Sequence, residues 1–583
     1  MNLTTAQIDR VAGTMLGLAC GDALGAGLEF QPRVPYTQPI HMSGGGSFNW
    51  APGEWTDDTA MAMCIASVSS QGLDLRSVEA QDQIARAWLA WAATATDVGI
   101  QTRKVLTMAR SEGTAEALSK AAAQVHAETG RSGGNGSLMR TAPVALAHLN
   151  DQAALVQAAR EISSLTHFDD EAGDACVLWC LAIRHAILHG DFAPMTDFLA
   201  ALPESRQALW AERIAEAEHK QSHEFANNGW VVSAFQAAWS AITHSQIPAD
   251  LPSLRLFPAA HFEIALERAV RCGDDTDTVG AIAGSLLGAR WGSTAVPSRW
   301  QLPLHGFPDA SHFDLVSLAV LTALKGQADN VGWPTIDKVD YSSFTGRSTV
   351  VDFGNDGKLS VGGSDILTTK SGQLSAAVSL CRIGRHEAGL EPTRHLPIML
   401  IDRTEPEHNP NLEFCLHNAA TAVNAFLESD HRTALHCVQA QSRTPSVLAL
   451  VLMQTQGLSS NDALNTAMGA LPDAHPNVAF QAAMARFDGS GHRRYSSAHG
   501  ILELGQMQVQ TNEDDEICSL IIEIPEGVFK RKGGAWIVAD ATWSDTRWTS
   551  RIHPLSNDPA SHEQCLNWVQ NFDEYEFENV GGN

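Results

Sequence analysis

The length, composition and charge of the chain favour a globular protein with more than one domain. The chain has 583 residues, is 44% hydrophobic and 18% charged, and carries a formal net charge of −27. At about 100–200 residues per domain, this length predicts two to four domains. So acidic a chain repels phosphate backbones, which argues against broad nucleic-acid binding, whereas clustered carboxylates suit divalent cations.

The cysteine spacing and the hydropathy pattern predict a cytoplasmic protein. The ten cysteines are scattered and form no CxxC pair, so neither zinc ribbons nor a disulfide framework is expected. The apolar stretch 11–21 lacks the basic region of a signal peptide, since the preceding Arg10 stands beside Asp9. No uncharged apolar run reaches the roughly 18 residues that a membrane span needs, so no membrane association is expected.

Residues 1–325 are predicted to form an all-α domain. Apolar residues recur at helical spacing, as at Ile84, Trp88 and Trp91. Alanine is abundant in this region and runs of β-branched residues are few, which favours helices. The glycine-rich stretch 280–288 predicts a helix that another helix can approach closely.

Residues 326–488 are predicted to form an α/β domain, because short apolar runs alternate with helical patterns. In chain order, the predicted elements are a β-like run at 348–353, a strand at 396–401, a helix over 416–427, a strand at 433–436 and a helix from Thr444.

Residues 489–583 are predicted to form a small β-rich segment. Strands are expected at 517–524 and 535–541, with a turn at the glycine-containing stretch 530–534 between them. The acidic tail 571–583 ends in glycines and is expected to fray. No role is predicted for this segment.

Two acidic clusters each precede an apolar helical pattern. The first is Thr56-Asp57-Asp58, and the second contains Asp274, Asp275, Asp277 and Thr278. Either cluster alone is also compatible with an ordinary helix cap, because Asp and Thr favour that position. Three carboxylates within four residues repel one another unless a cation is present. The two clusters together therefore predict a site for a hard cation, Mg²⁺ or Mn²⁺.

Residues 1 to about 295 resemble the ADP-ribosylglycohydrolase family, whose motifs occur here in the family's order. The matching segments are Gly17-Leu-Ala-Cys-Gly-Asp-Ala-Leu-Gly25 with Glu29, Trp55-Thr-Asp-Asp-Thr59, Asp97-Val-Gly99, Gly133-Gly-Asn-Gly-Ser-Leu-Met-Arg140, Leu165-Thr-His167 and Asp275-Thr-Asp-Thr278. The resemblance implies an all-α bundle with two Mg²⁺ or Mn²⁺ ions. It also implies hydrolysis of the glycosidic bond between ADP-ribose and a modified protein or small molecule.

The resemblance also implies roles for individual residues. The implied metal ligands are Thr56, Asp57, Asp58, Asp275, Asp277 and Thr278. Asp57 and Asp58 are the candidate general bases, and Glu29 is expected to complete the metal site unless it is a plain surface carboxylate. Asp274 departs from the family, which usually has glycine there, so it is expected either to change the charge around the metals or to approach them.

The implied substrate contacts lie in three segments. The loop 133–136 reads as a glycine-rich cradle for a diphosphate ahead of a helix, with Gly134, Asn135, Gly136 and Ser137 as its binding residues. His167 is expected to stack on or hydrogen-bond ADP-ribose, with a purely structural role as the alternative. Asp97 and Gly99 are expected to line the cleft. An arginine linkage is favoured for the substrate, and serine or other linkages stay open.

A second motif, His436-Cys-Val-Gln-Ala-Gln-Ser-Arg-Thr444, has the spacing of a cysteine phosphatase loop. In such a loop, five residues curl their N–H groups around a phosphate and an arginine closes the ring. Cys437 is then the nucleophile, because Arg443 and the helix N-terminus stabilise its thiolate. Thr444 is expected to offer its hydroxyl to that thiolate. The alternative is a buried cysteine at a strand end with an unrelated arginine.

This region, roughly 150 residues long, resembles the dual-specificity phosphatase family. The resemblance implies a general acid some thirty residues upstream of the cysteine, and Asp402 is the first candidate, with Glu405 the second. Ala440 departs from the family's usual glycine and is expected to strain the loop. A phosphorylated substrate is implied if the site is active.

Three classes of function compete for the whole chain. The first is a metal-dependent ADP-ribosyl hydrolase joined to a phosphatase-like domain. The second is a binding protein for ADP-ribose or a phosphorylated ligand in which one or both sites do not turn over. The third is a structural protein. Intact acidic clusters favour the first class, because a structural role does not require them.

Overall fold

The computed structural model describes residues 3–35, 38–344, 349–354 and 357–488, together with the backbone of strands between 493 and 579. The described part up to Ala323 is helical, as predicted. Its helices are α1 (Thr5–Gly25), α2 (Asp57–Ser69), α3 (Val78–Ala92), α4 (Ile100–Ala109), α5 (Ala115–Thr129), α6 (Ala142–Ala147), α7 (Gln152–Ser164), α8 (Asp170–His189), α9 (Glu204–Ala217), α10 (Val231–Thr243), α11 (His261–Val270), α12 (Thr276–Trp291), α13 (Ser298–Gln301) and α14 (His312–Ala323). A two-stranded ladder pairs β1 (His305–Gly306) with β2 (Ala310–Ser311).

Glycines at four-residue spacing bring α1 and α12 into backbone contact. Gly13, Gly17 and Gly21 of α1 face Gly288, Gly284 and Gly280 of α12. A Cβ added at Gly17 would lie 2.1 Å from the Gly284 carbonyl oxygen, which no side chain tolerates. The expected close approach of the 280–288 helix is therefore confirmed, and it aligns the end of α1 with the start of α12.

The following unit contains a mixed five-stranded sheet and flanking helices. Its elements are β3 (Val351–Phe353), β4 (Leu359–Gly362), α15 (Ile366–Thr369), β5 (Ala376–Ser379), β6 (His395–Pro397), α16 (Leu412–Glu428), β7 (Thr433–His436), α17 (Arg443–Gln456), α18 (Ser460–Ala470) and α19 (Val478–Ala485). The strand order is β3-β4-β7-β5-β6, with β3 antiparallel to β4 and the other pairs parallel. The predicted strand at 433–436 and the helices at 416–427 and from Thr444 are confirmed. Of the β-like run 348–353, Ser348 lies outside the described residues.

The predicted strand at 396–401 is wrong over most of its length, because β6 ends at Pro397. The Ile398 amide still donates to the Ser379 carbonyl, but the Leu400 amide donates to Ile398 within its own segment. The Leu400 carbonyl accepts from Arg443 instead of a neighbouring strand. A side chain from α17 thus replaces the sheet ladder and lets the chain leave the sheet.

The helical bundle and the sheet-containing unit share a buried interface. Two asparagines of this unit, Asn411 just before α16 and Asn418 on it, are buried and bond the bundle's backbone. Asn418 accepts from the Ser298 amide at 2.8 Å and donates to the Val296 carbonyl, while Asn411 donates to the Trp291 carbonyl at 2.5 Å. Apolar residues of both units belong to one continuous core. The two units are therefore packed together rather than loosely linked.

The last described strands form a hairpin and an antiparallel sheet. They are β8 (Arg493–Ser497), β9 (Gly500–Leu504), β10 (Met507–Thr511), β11 (Ile517–Ile524), β12 (Phe529–Arg531), β13 (Trp536–Ser544), β14 (Arg547–Pro554) and β15 (Phe577–Asn579). The sheet order is β10-β11-β14-β13-β12-β15. The strand at 517–524 is confirmed, and 536–541 falls within β13.

Two expectations for this segment need correction. The predicted turn at 530–534 begins too early, because Lys530 pairs with both β13 and β15 and Arg531 pairs with β15. Residues 532–535 lie outside the described residues. The tail predicted to fray contributes β15, which pairs with β12. None of the described helices is long and apolar enough to cross a membrane.

Candidate functional site

The first site lies where the end of α1 meets the starts of α2 and α12. Asp22, buried on α1, accepts hydrogen bonds from the amides of Thr56 and Thr59, both at 2.9 Å, and from the Thr59 hydroxyl. Thr56 is the N-cap residue of α2 but makes no side-chain cap bond of its own. A carboxylate from another helix therefore caps α2 and fixes its position against α1.

Five carboxylates from these elements form two overlapping groups. Asp22, Asp58 and Asp277 make one group, and Glu29, Asp275 and Asp277 make the other, with one oxygen of each residue within 4.8 Å of its group partners. Asp58 Oδ1 and Glu29 Oε2 are buried and have no hydrogen-bond partner among the described residues. Buried polar atoms are rarely left unpaired in proteins. An all-oxygen donor set with two unpaired carboxylate oxygens fits a hard divalent cation.

The electrostatics of the cluster also favour a bound divalent cation. Burial, followed by neighbouring carboxylates, raises the pKa of Glu29 and of Asp57 to about 8. Burial also raises the pKa of Asp22 to about 6, and it raises the pKa values of Asp58 and Asp277 well above their usual range. A bound cation would offset this repulsion and return the carboxylates to their charged forms.

The remaining predicted ligands lie beside these groups. The Thr56 hydroxyl donates to Asp58 Oδ2 at 3.0 Å, and the Thr278 amide donates to Asp277 Oδ1 at 2.9 Å. Asp57 is half-buried, and its Oδ2 accepts from the Gly99 amide at 3.3 Å. Asp97 contributes to the raised pKa of Asp57, which places Asp97 and Gly99 next to the cluster.

The glycine-rich loop differs from the expected cradle at a helix N-terminus. It leads into a single 3₁₀ turn, Asn135–Ser137, and the next α-helix begins only at Ala142. The Asn135 amide donates to the Gly229 carbonyl, so it is not free for a phosphate. The Asn135 side chain instead donates to Asp275 Oδ2 at 2.8 Å, which connects the loop to the acidic cluster.

His167 is buried beneath this loop rather than exposed in the cleft. Its ring accounts for the small residues above it, because a Cβ at Gly134 or Gly136 would lie 3.2 or 3.1 Å from ring atoms. Burial, together with Arg140, lowers the pKa of His167 to about 3. The neutral, enclosed ring fits the structural alternative better than direct stacking on a substrate.

Asp274 is exposed and points away from the two carboxylate groups. Its backbone has φ of 55°, the left-handed region that glycine adopts without strain. Its carboxylate accepts from the Asn227 amide at 3.2 Å, and its carbonyl accepts from the Phe30 amide at 2.8 Å. The carboxylate of Asp274 belongs to neither of the two carboxylate groups.

The sequence reasoning missed Asp22 as a site residue. Asp22 lies within the motif 17–25, but that motif alone assigns it no role. The available signal was a carboxylate inside an otherwise apolar helical stretch, where a charged group needs partners. Its partners are 34 and 37 residues away, so no local pattern could identify them.

The second site lies at the carboxyl end of the parallel strands. Cys437 directly follows β7 and is buried, and Arg443 opens α17. Arg443 Nη1 donates to the carbonyls of Leu380 and Leu400 at 2.9 and 3.0 Å. Asp402 Oδ2 lies 4.0 Å from Arg443 Nε, a buried atom for which the described residues provide no hydrogen-bond partner. The structure thus brings together Cys437, Arg443 and Asp402, whereas Glu405 is exposed and makes its own bonds to Thr404.

The loop between Cys437 and Arg443 has the backbone that its phosphatase spacing implies. Ala440 has φ of 57°, so an alanine occupies the conformation that glycine adopts easily, as expected. The expected role of Thr444 is wrong, because its buried hydroxyl donates to the Gly362 carbonyl at 3.4 Å rather than to the thiol. The cost of the left-handed alanine is about 1 kcal/mol.

Sequence comparison identifies the helical part. The profile of the ADP-ribosylglycohydrolase family matches residues 3–329. The chain belongs to the ADP-ribosylglycohydrolase family. An ADP-ribosylarginine hydrolase of Pseudomonas putida is 32% identical over 304 residues, which are 50% of this chain and 73% of that protein. An ADP-ribosyl-[dinitrogen reductase] glycohydrolase of Rhodospirillum rubrum is 30% identical over 298 residues, 50% of this chain and 89% of its own length.

Two solved structures are similar to parts of this chain. A protein described as an ADP-ribosylglycohydrolase-related protein complex is 28% identical, with a TM-score of 0.42, and the match covers 56% of this chain and all of that one. Human DUSP28 is 18% identical, with a TM-score of 0.21, and the match covers 25% of this chain and 94% of that one.

Proposed function

We propose that the acidic cluster hydrolyses the bond between ADP-ribose and a modified arginine. The observation that supports this most directly is the pair of unpaired, buried carboxylate oxygens, Asp58 Oδ1 and Glu29 Oε2, inside an all-oxygen cluster. Relatives named as ADP-ribosylarginine hydrolases favour arginine over serine or other linkages. A binding protein without turnover is the alternative.

Two Mg²⁺ or Mn²⁺ ions fit this donor set. The residues that would hold them are Glu29, Thr56, Asp57, Asp58, Asp275, Asp277 and Thr278. Such ions supply Lewis acidity and hold hydroxyl oxygens in place. Asp22 positions α2 and borders the same group, and Asn135 orients Asp275. Asp57 is the better candidate base, because it is half-buried and accepts a long bond of 3.3 Å from the Gly99 amide, whereas Asp58 is fully buried.

A release assay tests this proposal. Arginine-, serine- and nucleic-acid-linked ADP-ribose are offered with Mg²⁺ or Mn²⁺ to the full chain and to Asp275→Ala. We expect release from arginine and a loss of about 100-fold or more in Asp275→Ala, since several kcal/mol of charge stabilisation are removed. Asp473→Ala, which removes an exposed carboxylate of the second unit, is the matched control. Release that survives both chelator and Asp275→Ala contradicts the metal mechanism, and tight ADP-ribose binding without release favours the binding protein.

As a second function, we propose hydrolysis of phosphate monoesters at Cys437. The convergence of Cys437, Arg443 and Asp402 at one edge of the sheet supports it. The Cys437 thiolate forms an S–P bond while the ester P–O bond breaks, and the proton of Asp402 passes to the leaving oxygen. Water then cleaves the S–P bond and releases inorganic phosphate. We also propose that the chain consists of three domains, with bounds 1–325, 326–488 and 489–583, and that the protein is cytoplasmic.

Aryl phosphate hydrolysis by Cys437→Ser tests the second function. We expect it to fall to background while ADP-ribose release is retained. Cys415→Ser is the matched control, because Cys415 is an equally buried thiol that donates to the Thr294 carbonyl outside the loop. Hydrolysis that persists in Cys437→Ser shows that this loop is not the source of the activity.

A further inference from the structure

The segment that carries Asp402 has no sheet to hold it. After β6 ends at Pro397, residues 398–405 form neither strand nor helix, although Asp402 must stay near Arg443 to act as an acid. An extended segment without a ladder leaves its backbone groups to be satisfied by side chains. The side chains that do so determine where Asp402 stands.

Asn409 supplies these bonds for the residue just before Asp402. The Ile401 amide donates to Asn409 Oδ1 at 2.9 Å, and Asn409 Nδ2 donates to the Ile401 carbonyl at 2.7 Å. One side-chain amide thereby satisfies both backbone groups of Ile401, as a neighbouring strand would. The two bonds join Ile401 to a residue eight positions later, just after the 3₁₀ turn Pro406–His408, and the Ile401 carbonyl also accepts from the Arg403 amide at 2.9 Å.

Two further contacts complete the support around Asp402. Arg443 donates to the Leu400 carbonyl at 3.0 Å on one side of Ile401. Asn477 Nδ2 donates to Asp402 Oδ1 at 2.7 Å on the other side. Arg443 belongs to the proposed catalytic loop and Asn477 touches the carboxylate itself. Asn409 touches neither the thiol nor Asp402, so it acts only through the backbone of Ile401.

The helical bundle contacts the chain next to Asn409. The Thr5 hydroxyl at the start of α1 shares a hydrogen bond of 3.0 Å with Nδ1 of His408. Thr5 and Ile8 of α1 line one small cavity together with Ile401 and Asn409. The support of the Asp402 segment therefore extends into the ADP-ribosylglycohydrolase part of the chain.

We propose that Asn409 is a positioning residue of the second site, which holds the Asp402 segment in place and is backed by α1 of the bundle. The proposal rests on the phosphatase function proposed for Cys437. It predicts that the acid step, rather than phosphate binding, depends on Asn409 and on the docked bundle. Displacements of about 1 Å at a catalytic group lower rates by up to about 100-fold.

Leaving-group dependence separates this role from a general effect on folding. A poor leaving group such as phenoxide needs a proton, whereas nitrophenoxide leaves without one. In the full chain, we expect Asn409→Ala to lower kcat for phenyl phosphate by about 10- to 100-fold. For nitrophenyl phosphate, kcat should change by less than about threefold, and KM and inhibition by inorganic phosphate should stay unchanged. Asp402→Asn should show the same selectivity with a larger loss, and Thr5→Val a smaller one.

Asn424→Ala is the matched control, since Asn424 lies on α16 and donates to Gln454 away from this segment. It should show no leaving-group selectivity. Equal losses on both esters in Asn409→Ala, or no loss on either, overturn the positioning role. Hydrogen exchange at the Ile401 amide gives a readout that does not need activity. Exchange at the Ile401 amide should be faster in Asn409→Ala, and unchanged exchange overturns the positioning role. If the wild-type chain hydrolyses neither ester, that result refutes the phosphatase function, and the exchange experiment still tests the role of Asn409.

Discussion

Replacing Gly21 with alanine tests whether the contact between α1 and α12 builds the acidic cluster. A Cβ at this position would lie 1.9 Å from the Gly280 carbonyl oxygen, and real Cβ contacts are not shorter than 3.0 Å. The two backbones must therefore give way by about 1.1 Å. Overpacking of this kind costs about 2–3 kcal/mol, so we expect the unfolding midpoint of so large a domain to fall by roughly 3–5 °C.

The same displacement should weaken metal binding. Asp22 follows Gly21 directly, and Asp277 lies about one turn before Gly280, so the carboxylates move with their helices. Mg²⁺ requires oxygen ligands at about 2.0–2.1 Å in near-ideal geometry, and we expect at least about a tenfold loss of affinity. Calorimetric titration with Mn²⁺ and thermal unfolding measure both effects.

Gly469→Ala on α18 is the control for this experiment, because a Cβ there meets nothing within 4 Å. It should leave Mn²⁺ affinity unchanged and stabilise its helix by up to about 1 kcal/mol. If Gly21→Ala keeps both the wild-type midpoint and the wild-type affinity, the glycine contact does not set the geometry of the cluster and the reasoning is wrong.

Three further predictions concern single residues. Ala440→Gly removes a left-handed alanine and should raise the free energy of unfolding by about 1 kcal/mol and tighten vanadate binding, as denaturant titration and binding measurements would show. Asn418→Ala leaves the Ser298 amide and the Val296 carbonyl buried without partners and should cost about 2 kcal/mol in denaturant unfolding. Burial lowers the pKa of His261 to about 4, below its unfolded value of 6.5, so its contribution of roughly 3 kcal/mol is present above pH 6.5 and is lost as the pH falls toward 4. The stability of His261→Gln should depend less steeply on pH in this window, whatever its absolute stability.

Local patterns predicted the elements whose ends are marked by local chemistry. The acidic residues Asp57 and Asp277 lie in the first turns of α2 and α12, as the clusters indicated. The strand at 433–436 matches β7 because an apolar run ends at a loop motif of fixed spacing. The resemblance to the dual-specificity phosphatases implied a strained residue at Ala440, and its φ is 57°.

Features that depend on distant partners could not be predicted. β6 ends at Pro397 because Arg443, more than forty residues away, takes the Leu400 carbonyl. The glycines at 134 and 136 read as a phosphate cradle, but the His167 ring packs against them. In each case the pattern indicated a real local feature, a strand or a glycine-rich turn. A contact with a residue distant in the sequence then shortened the strand or gave the glycines another role.

The trans cap on α2 explains how one sequence motif can resemble both a helix cap and a metal site. An ordinary cap would use the Thr56 hydroxyl or a first-turn carboxylate to satisfy the first amides of α2. Here Asp22 satisfies the amides of Thr56 and Thr59, and the Thr56 hydroxyl turns to Asp58 Oδ2. Asp58 Oδ1 then lies buried beside Asp277 without a hydrogen-bond partner in the part of the chain that the structure describes, and a bound cation would compensate its charge. Because Asp22 caps α2, the carboxylates of α2 are not needed as caps and can serve as metal ligands. The glycines that bring α1 against α12 position Asp22, so they are needed for the site as well as for the fold.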